Sequence, residues 1–315
     1  MSATPTDILP ADKAGLTRAI ALLQAGALVA LPTETVYGLA GDATNPQAVA
    51  AIYAAKGRPD YNPLIVHVAD RAMAQDYVIF SPAARALADR FWPGPLTLVL
   101  PRKNDSAIAA AVHGGRDTLA VRCPAHPVMH QMIAQFGKPL AAPSANASGQ
   151  ISPTTAQHVL KSLGGRIALI LDGGGCAAGV ESTIVGFEKG QPVILRHGAL
   201  SAEELGIAVS NTSVRTQSDI TAPGQLASHY APRQPVRLNA ETAEAGEYHI
   251  GFGKIAGDEN LSARGNLEDA AAALFAALHR AEDSGAPRIA VAPIPNTGVG
   301  QAINDRLQRA AAPRA

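Results

Sequence analysis

Hydrophobic positions recur at two periods along this chain, and the period changes where glycine or proline interrupts. Leu16, Ile20 and Leu23 fall at helical spacing within 11–24, and Gly26 supplies a stop. The apolar run 27–31 that follows reads as a strand ending at Pro32. Asn45-Pro46 has the form of a helix cap followed by proline at the first helical position. Val49, Ile52 and Tyr53 then make the apolar face of a helix that closes at Gly57. Short apolar runs at 64–68, 96–100, 119–123, 140–142, 167–171, 182–187 and 193–196 predict strands, with helices over 83–90, 128–136 and 155–160. Strands outnumber helices, so the pattern predicts an α/β fold with a large twisted sheet rather than a simple doubly wound one.

From 201 to 221 the chain turns polar, and 222–235 reads APGQLASHYAPRQP. Three prolines, a glycine and few apolar residues mark a linker, although His229 and Tyr230 are not what a passive spacer requires. Strands follow at 236–238, 248–252 and 289–292, a long helix carries Leu267, Ala271, Leu274 and Leu278, and a last helix spans 299–310. This alternation predicts a small Rossmann-like α/β unit. The expected organisation is therefore a domain over 1–205, a linker or lid over 206–235, and a second domain over 236–315. A chain of 315 residues is long enough for two cores.

Charge narrows the partners. The 26 basic residues balance the 26 acidic ones, and both sides of residue 210 are near neutrality, with 16 basic against 15 acidic before it and 10 against 11 after it. No global electrostatic case exists for nucleic acid or membrane, and any anion site must be a local cluster. Two cysteines, Cys123 and Cys176, make neither a disulfide framework nor a zinc site and read as reduced thiols. The N-terminal residues lack a signal-peptide pattern and no apolar run approaches the ~18 residues that span a bilayer, so a soluble, cytoplasmic protein is expected. The chain has no Walker A loop, GxGxxG fingerprint, HExxH pair or GxSxG elbow.

The equipment left is cations, hydroxyls and amides. Lys56-Gly57-Arg58 places two cations around a glycine at a helix end, where both could converge on one anion, although a solvated helix end would look the same. Ser144-Ala145-Asn146 sets two small polar groups on one side of an extended segment, suited to phosphate or ribose hydroxyls or simply to a serine-rich loop. His67 and Arg122 interrupt apolar strands. A strand histidine is commonly a satisfied core residue, whereas a buried guanidinium requires an acidic partner, of which a substrate carboxylate is one candidate. The segment 33–39 opens directly after a strand, as a ligand loop or a hairpin would, and Gly173-Gly174-Gly175 forms a turn near Glu181. Such a set suits a reaction run by positioning and charge stabilisation, as phosphoryl or nucleotidyl transfer is.

Taken in order, LPTETVYGL, KGRPDYNPLIVHV, FWPGPLTLVL, VRCPAHP, APSANASG and ESTIV resemble the YrdC/Sua5 family over about residues 16–200. HYAP and the closing AINDRL resemble its longer, Sua5-type members, which add a C-terminal domain. The resemblance implies a twisted sheet around a concave, locally basic cavity and an L-threonylcarbamoyladenylate synthase. In that reaction L-threonine, bicarbonate (or CO2) and ATP, with Mg²⁺, give threonylcarbamoyl-AMP and pyrophosphate. The adenylate then goes to a tRNA threonylcarbamoyltransferase for N6 of adenosine 37 in ANN-decoding tRNAs.

The resemblance also implies residue roles. Lys56 and Arg58 would hold the ATP phosphates and carry the catalytic charge stabilisation. Asn62, Thr118, Ser144, Asn146, Ser152, Arg196 and Tyr230 match ATP-binding positions. Thr35, His67, Arg122, Ala142 and Ser182 match threonine-binding ones, Ala142 through its backbone. Metal ligands stay undefined, with Glu34, Asp42 and Glu181 the acidic residues near motifs. The stretch 225–228, QLAS, departs from the family, whose linkers often carry a basic or aromatic residue there. Two other readings compete: a nucleic-acid module with weak tRNA binding, which neutral charge disfavours, and the carbamoyl-transfer chemistry of hydrogenase maturation, whose proteins carry zinc fingers that two cysteines cannot build.

Overall fold

A computed structural model describes residues 5–208 and 229–313, which form two separate sheets. The chain runs β1 (Asp7–Pro10), α1 (Lys13–Gln24), β2 (Val29–Leu31), β3 (Gly38–Asp42), α2 (Pro46–Lys56), β4 (Ile65–His67), α3 (Arg71–Gln75), α4 (Pro82–Phe91) and β5 (Leu96–Pro101). It continues through α5 (Ala110–His113), β6 (Thr118–Arg122), α6 (Pro127–Phe136), β7 (Leu140–Ala141), α7 (Ala156–Leu163), β8 (Leu169–Asp172), β9 (Thr183–Glu188), β10 (Gln191–Arg196) and α8 (Ala202–Leu205). After the undescribed segment come β11 (Val236–Arg237), β12 (Glu247–Gly251), β13 (Glu259–Asn260), α9 (Leu267–Asp283), β14 (Arg288–Val291) and α10 (Gly300–Ala311).

Strands β1 to β10 form one mixed sheet in the order β1-β8-β2-β3-β7-β4-β6-β5-β9-β10. Strands β11 to β14 form a parallel sheet in the order β11-β14-β12-β13. Local chemistry accounts for much of the rest. Asn45 accepts from the backbone N–H groups of Gln47 and Ala48 and Pro46 opens α2, while Gly57, at φ 60°, closes it in the left-handed region. That cap leaves Lys56 as the last helical residue and sends Arg58 round the turn.

Several short elements escape the apolar pattern. β3, GLAGD, carries two glycines and is held by antiparallel pairing with β2 and β7 rather than by propensity. It resolves the segment 33–39 as the loop and second arm of a hairpin. β1 ends on a proline, which its place at the sheet edge tolerates. α3, α5, α8 and β13 are two to five residues long, too short for a periodic signal. Most of the expected linker, including 225–228, lies outside the described residues.

The two sheets share a core. Val36, Ile151 and Val180, which precede residue 206, pack in one cluster with Tyr230, Leu274 and Phe275 from the C-terminal half. The two halves come close at Gly179, whose φ is +69° and where an added Cβ would lie 2.4 Å from the Ala271 carbonyl oxygen and 2.4 Å from the Ala272 Cα. Backbone cannot yield as a side chain can. Gly179→Ala should therefore cost about 3 kcal/mol or more through clash and left-handed strain. Gly174→Ala, at φ +86° with open space around it, should cost only about 1 kcal/mol. Denaturant midpoints of the two variants check the difference, and equal losses would show that the halves are not packed so tightly.

Candidate functional site

Strand register brings the polar residues of separate strands together. β4 and β6 run parallel with His67 opposite Arg122, and β5 pairs antiparallel with β6 so that Thr97 also lies opposite Arg122. Opposed residues share a face, so Thr97, Arg122 and His67 form one row. All three are buried. Thr97 Oγ1 lies 2.8 Å from Ser182 Oγ, and Arg196 donates to the Ser182 carbonyl at 2.7 Å.

The acidic partner that buried Arg122 requires is Glu34, on the loop after β2. Their N–O distance is 2.6 Å, and Arg122 also donates to Thr35 Oγ1 at 3.0 Å and to the Gly94 carbonyl at 3.3 Å. Burial opposes the Glu34 charge, but Arg122 outweighs it and holds the carboxyl below the ordinary glutamate range. Thr33 shapes this loop, with its hydroxyl donating to the Val36 carbonyl at 2.6 Å and accepting from Thr35 N–H at 3.1 Å. His67 is pushed down to about 3 by burial and then by the neighbouring Arg122 charge, so it is neutral, and its Nδ1 has no partner among the described residues.

The second cluster is the Lys-Gly-Arg turn. Lys56 Nζ donates to the carbonyls of Ser144 and Asn146, and Arg58 donates to those of Asn62 at 3.2 Å and Pro63 at 3.0 Å. Among the described residues neither cation meets a carboxylate. Burial, then the Arg58 charge, depresses Lys56 well below the ordinary lysine range, and burial brings Arg58 down to about 10. Carbonyl dipoles compensate a buried cation only in part, so this pair is primed for an anion. Nearby, both side-chain polar atoms of Asn62 and the Oδ1 of Asn146 are buried without a partner among the described residues. Asn146 spends its amide on the Ala147 and Gln150 carbonyls, at 3.0 and 2.8 Å.

A cavity joins the two clusters. Its lining includes Thr35, His67, Arg122, Ala142 and Ser182, all proposed for threonine, and Arg58, Ser144, Arg196 and Tyr230, all proposed for ATP. Lys56, Asn62, Asn146 and Ser152 are buried and do not line it, and Thr118 sits half-buried at the far end of β6, opposite Pro101. The cavity measures about 50 Å³, far below the roughly 300 Å³ of small-molecule sites. His229 and Tyr230 line it and are themselves buried. Tyr230 holds φ +62° and packs its ring 5.5 Å from Phe275 of α9. The unusual backbone angle is the kind of strain that only surrounding contacts sustain.

Sequence reasoning set Glu181 aside as a possible metal ligand and did not single out Thr97 or Arg306. Glu181 lines the cavity, accepts from Ser152 Oγ at 2.6 Å and pairs with Arg306 of α10 at 2.8 Å. The only signal for Arg306 was its place in AINDRL. Asp42 pairs with Lys138 at 3.1 Å. No group of three His, Cys, Asp or Glu side chains suited to a metal occurs among the described residues. Both cysteines are free and buried, their thiols pushed up to about 12 chiefly by burial. The triple glycine is pinned by Tyr37, whose hydroxyl donates to the Gly174 carbonyl at 2.8 Å. No helix of the described residues is long and apolar enough to cross a membrane.

A large α/β sheet bearing a small cavity lined by Arg58, Arg122 and Arg196, with no serine paired to a histidine base among the described residues, is the framework of a protein that handles small anionic ligands by position and charge. The comparisons narrow that class. Residues 21–198 match the model of the family Sua5_yciO_yrdC, described as telomere recombination, and residues 200–312 match the threonylcarbamoyl-AMP synthase C-terminal domain. The chain belongs to the YrdC/Sua5 family, in its form with the C-terminal domain. It is 40% identical to the threonylcarbamoyl-AMP synthase of Bacillus subtilis (strain 168), covering 98% of this chain and 96% of that one. The crystal structure of Pyrococcus abyssi Sua5 complexed with L-threonine superposes with a TM-score of 0.87 at 36% identity, over 98% of this chain and 97% of that chain. Escherichia coli YciO, 18% identical with a TM-score of 0.57, shares the fold of the larger sheet over 65% of this chain.

Buried histidines make the structure sensitive to acid. His67, His158 and His229 are lowered to about 3 and His279 to about 4, each chiefly by burial, from an ordinary 6.5. Between those limits the unfolded chain binds more protons, so stability rises with pH there and is lost as pH falls from about 6.5. Each histidine contributes at most about 1.4 kcal/mol per pH unit inside the window. Urea unfolding between pH 7.5 and 4.5 should show this slope, and His279→Phe should reduce it. A flat profile above pH 5 would contradict the buried neutral state.

Proposed function

We propose that this chain is an L-threonylcarbamoyladenylate synthase, a nucleotidyltransferase that converts L-threonine, bicarbonate or CO2, and ATP into threonylcarbamoyl-AMP and pyrophosphate. The observation that carries the reading is the buried Lys56–Arg58 pair, compensated among the described residues by carbonyls alone, with Arg58 lining the same cavity as the Arg122–His67 row. Relatives named for this activity cover nearly the whole chain.

In this reading Arg122 and Ser182, with the Ala142 backbone, orient threonine. The substrate carboxylate exchanges with Glu34 on the Arg122 fork, which suits bidentate pairing. The threonine amine must be neutral to capture CO2. A dry pocket, an adjacent guanidinium and a neutral His67 all disfavour the ammonium form. Amine and CO2 give a carbamate and a proton. A carbamate oxygen then bonds to the α-phosphorus of ATP as the bond to the pyrophosphate oxygen breaks, with no protein nucleophile.

Lys56 and Arg58 stabilise the charge on the departing pyrophosphate, while Asn62, Thr118, Ser144, Asn146, Ser152 and Arg196 hold the nucleotide. Since the acidic residues near the site are committed to arginines, Mg²⁺ enters bound to the phosphates of ATP as part of that substrate. His229 and Tyr230 must withdraw to admit a ligand of this size and then close over the nucleotide. The product serves a tRNA threonylcarbamoyltransferase for adenosine 37 of ANN-decoding tRNAs, and its synthesis belongs in the cytoplasm.

Pyrophosphate release from MgATP should require both L-threonine and bicarbonate, with threonylcarbamoyl-AMP found by mass spectrometry. Lys56→Ala should reduce turnover by about 10²- to 10³-fold while L-threonine binding, read by calorimetry, changes little. Release that ignores threonine, or unchanged turnover in the variant, would refute the assignment.

A further inference from the structure

The largest fully buried side chain among the described residues is a cation, Arg306 of α10, with 0% exposure. Its neighbours on the inner face of that helix are Ala302, Ile303, Leu307 and Ala310. An apolar side chain of similar volume would continue that face. Replacing a buried ion pair with apolar packing is often neutral or stabilising, so docking of the helix does not by itself account for an arginine here.

What Arg306 touches lies across the chain, in the cavity wall. Its Nε donates to Glu181 Oε2 at 2.8 Å, its Nη1 meets Asp305 Oδ2 at 2.6 Å, and its guanidinium carbon stands 5.2 Å from the Tyr230 ring centre. Glu181 Oε1 accepts from Ser152 Oγ at 2.6 Å, and Asp305 is steadied by Arg309 at 3.0 Å. The contacts form one alternating chain, Arg309–Asp305–Arg306–Glu181–Ser152, running from the last helix to the nucleotide end of the cavity. Glu181 lines that cavity, as Arg58 and Arg196 do, and against the cost of burial the charges of Arg306 and Arg196 hold its carboxyl below the ordinary glutamate range. The first belongs to the C-terminal unit, and the second is among those proposed for ATP.

We propose that Arg306 is a positioning residue for ATP: by holding Glu181 it keeps this carboxylate from neutralising Arg196. The proposal rests on the synthase reading above and gives the C-terminal unit its part in that reaction. Without Arg306 the Glu181 carboxylate turns to Arg196, and the phosphates of ATP must compete with it. L-threonine, held by the Arg122 row, is not affected by that competition.

The test compares the full-length chain with Arg306→Met, Glu181→Gln and the double variant by pyrophosphate release. Arg306→Met should raise the KM for ATP about 10- to 100-fold, with kcat at saturating ATP and the KM for L-threonine within about threefold. In the Glu181→Gln background the same substitution should change the KM for ATP by less than about threefold, because no carboxylate is left to restrain. Arg306→Lys keeps the charge but loses the fork. It should fall between wild type and Arg306→Met, and it carries the test if the methionine variant does not fold.

A lower unfolding midpoint with an unchanged KM for ATP, or full additivity in the double variant, would make Arg306 merely structural. A wild-type chain that releases no pyrophosphate overturns the synthase reading and this proposal together. A wild type that turns over beside an unaffected Arg306 variant overturns this proposal alone.

Discussion

Charge taken out of water is the constraint to which the cavity and its surroundings answer. Lys56, Arg58, Arg122, Arg196 and Arg306 are all buried within one region of the fold, and each buried cation carries a large desolvation cost unless compensated. The compensation differs from one to the next. Arg122 has Glu34 and Arg306 has Glu181, and these pairs are nearly closed. Among the described residues Lys56 and Arg58 meet only carbonyl oxygens. The incompletely compensated pair is where an anion gains most, and its Arg58 lines the cavity.

Loops acquire their shape from the same compensation. The carbonyls that receive Lys56 belong to Ser144 and Asn146, so the ammonium draws the Ser-Ala-Asn segment against the end of α2. Glu34, by reaching Arg122, carries the loop 33–37 across the face of β6. Arg306 brings the last helix to the cavity wall and Tyr230 with it. Separate parts of the chain are thus held beside the cavity by polar contacts, among them Glu34 to Arg122 at 2.6 Å and Arg306 to Glu181 at 2.8 Å.

Small residues permit this closeness. Gly179 lets α9 approach the segment before Glu181, and Gly198 lets the segment after β10 close on the backbone of 181–183, where a Cβ would lie 2.4 Å from the Glu181 carbonyl oxygen. The C-terminal unit is therefore joined to the cavity by close backbone packing as well as by Arg306, and the position of Glu181 depends on both.

Much of this was legible in the sequence. The helix from Asn45 to Gly57 could be read from its cap, its proline and its closing glycine, since those signals are local. The long strands could be read from apolar runs, and the Lys-Gly-Arg and Ser-Ala-Asn pairs from their spacing. β3 could not, because a strand of glycines and small residues is stabilised by its neighbours on either side. Nor could the partners be read. That Arg122 needed an acid followed from its place in a strand, but Glu34 lies 88 positions away, Glu181 meets Arg306 across 125, and His67 meets Arg122 only through the register of β4 and β6. Periodicity and capping act over a few residues and are written in the chain itself. Register, burial and long-range pairing are decided by the whole fold, because the energy of a buried charge depends on what every other segment places beside it.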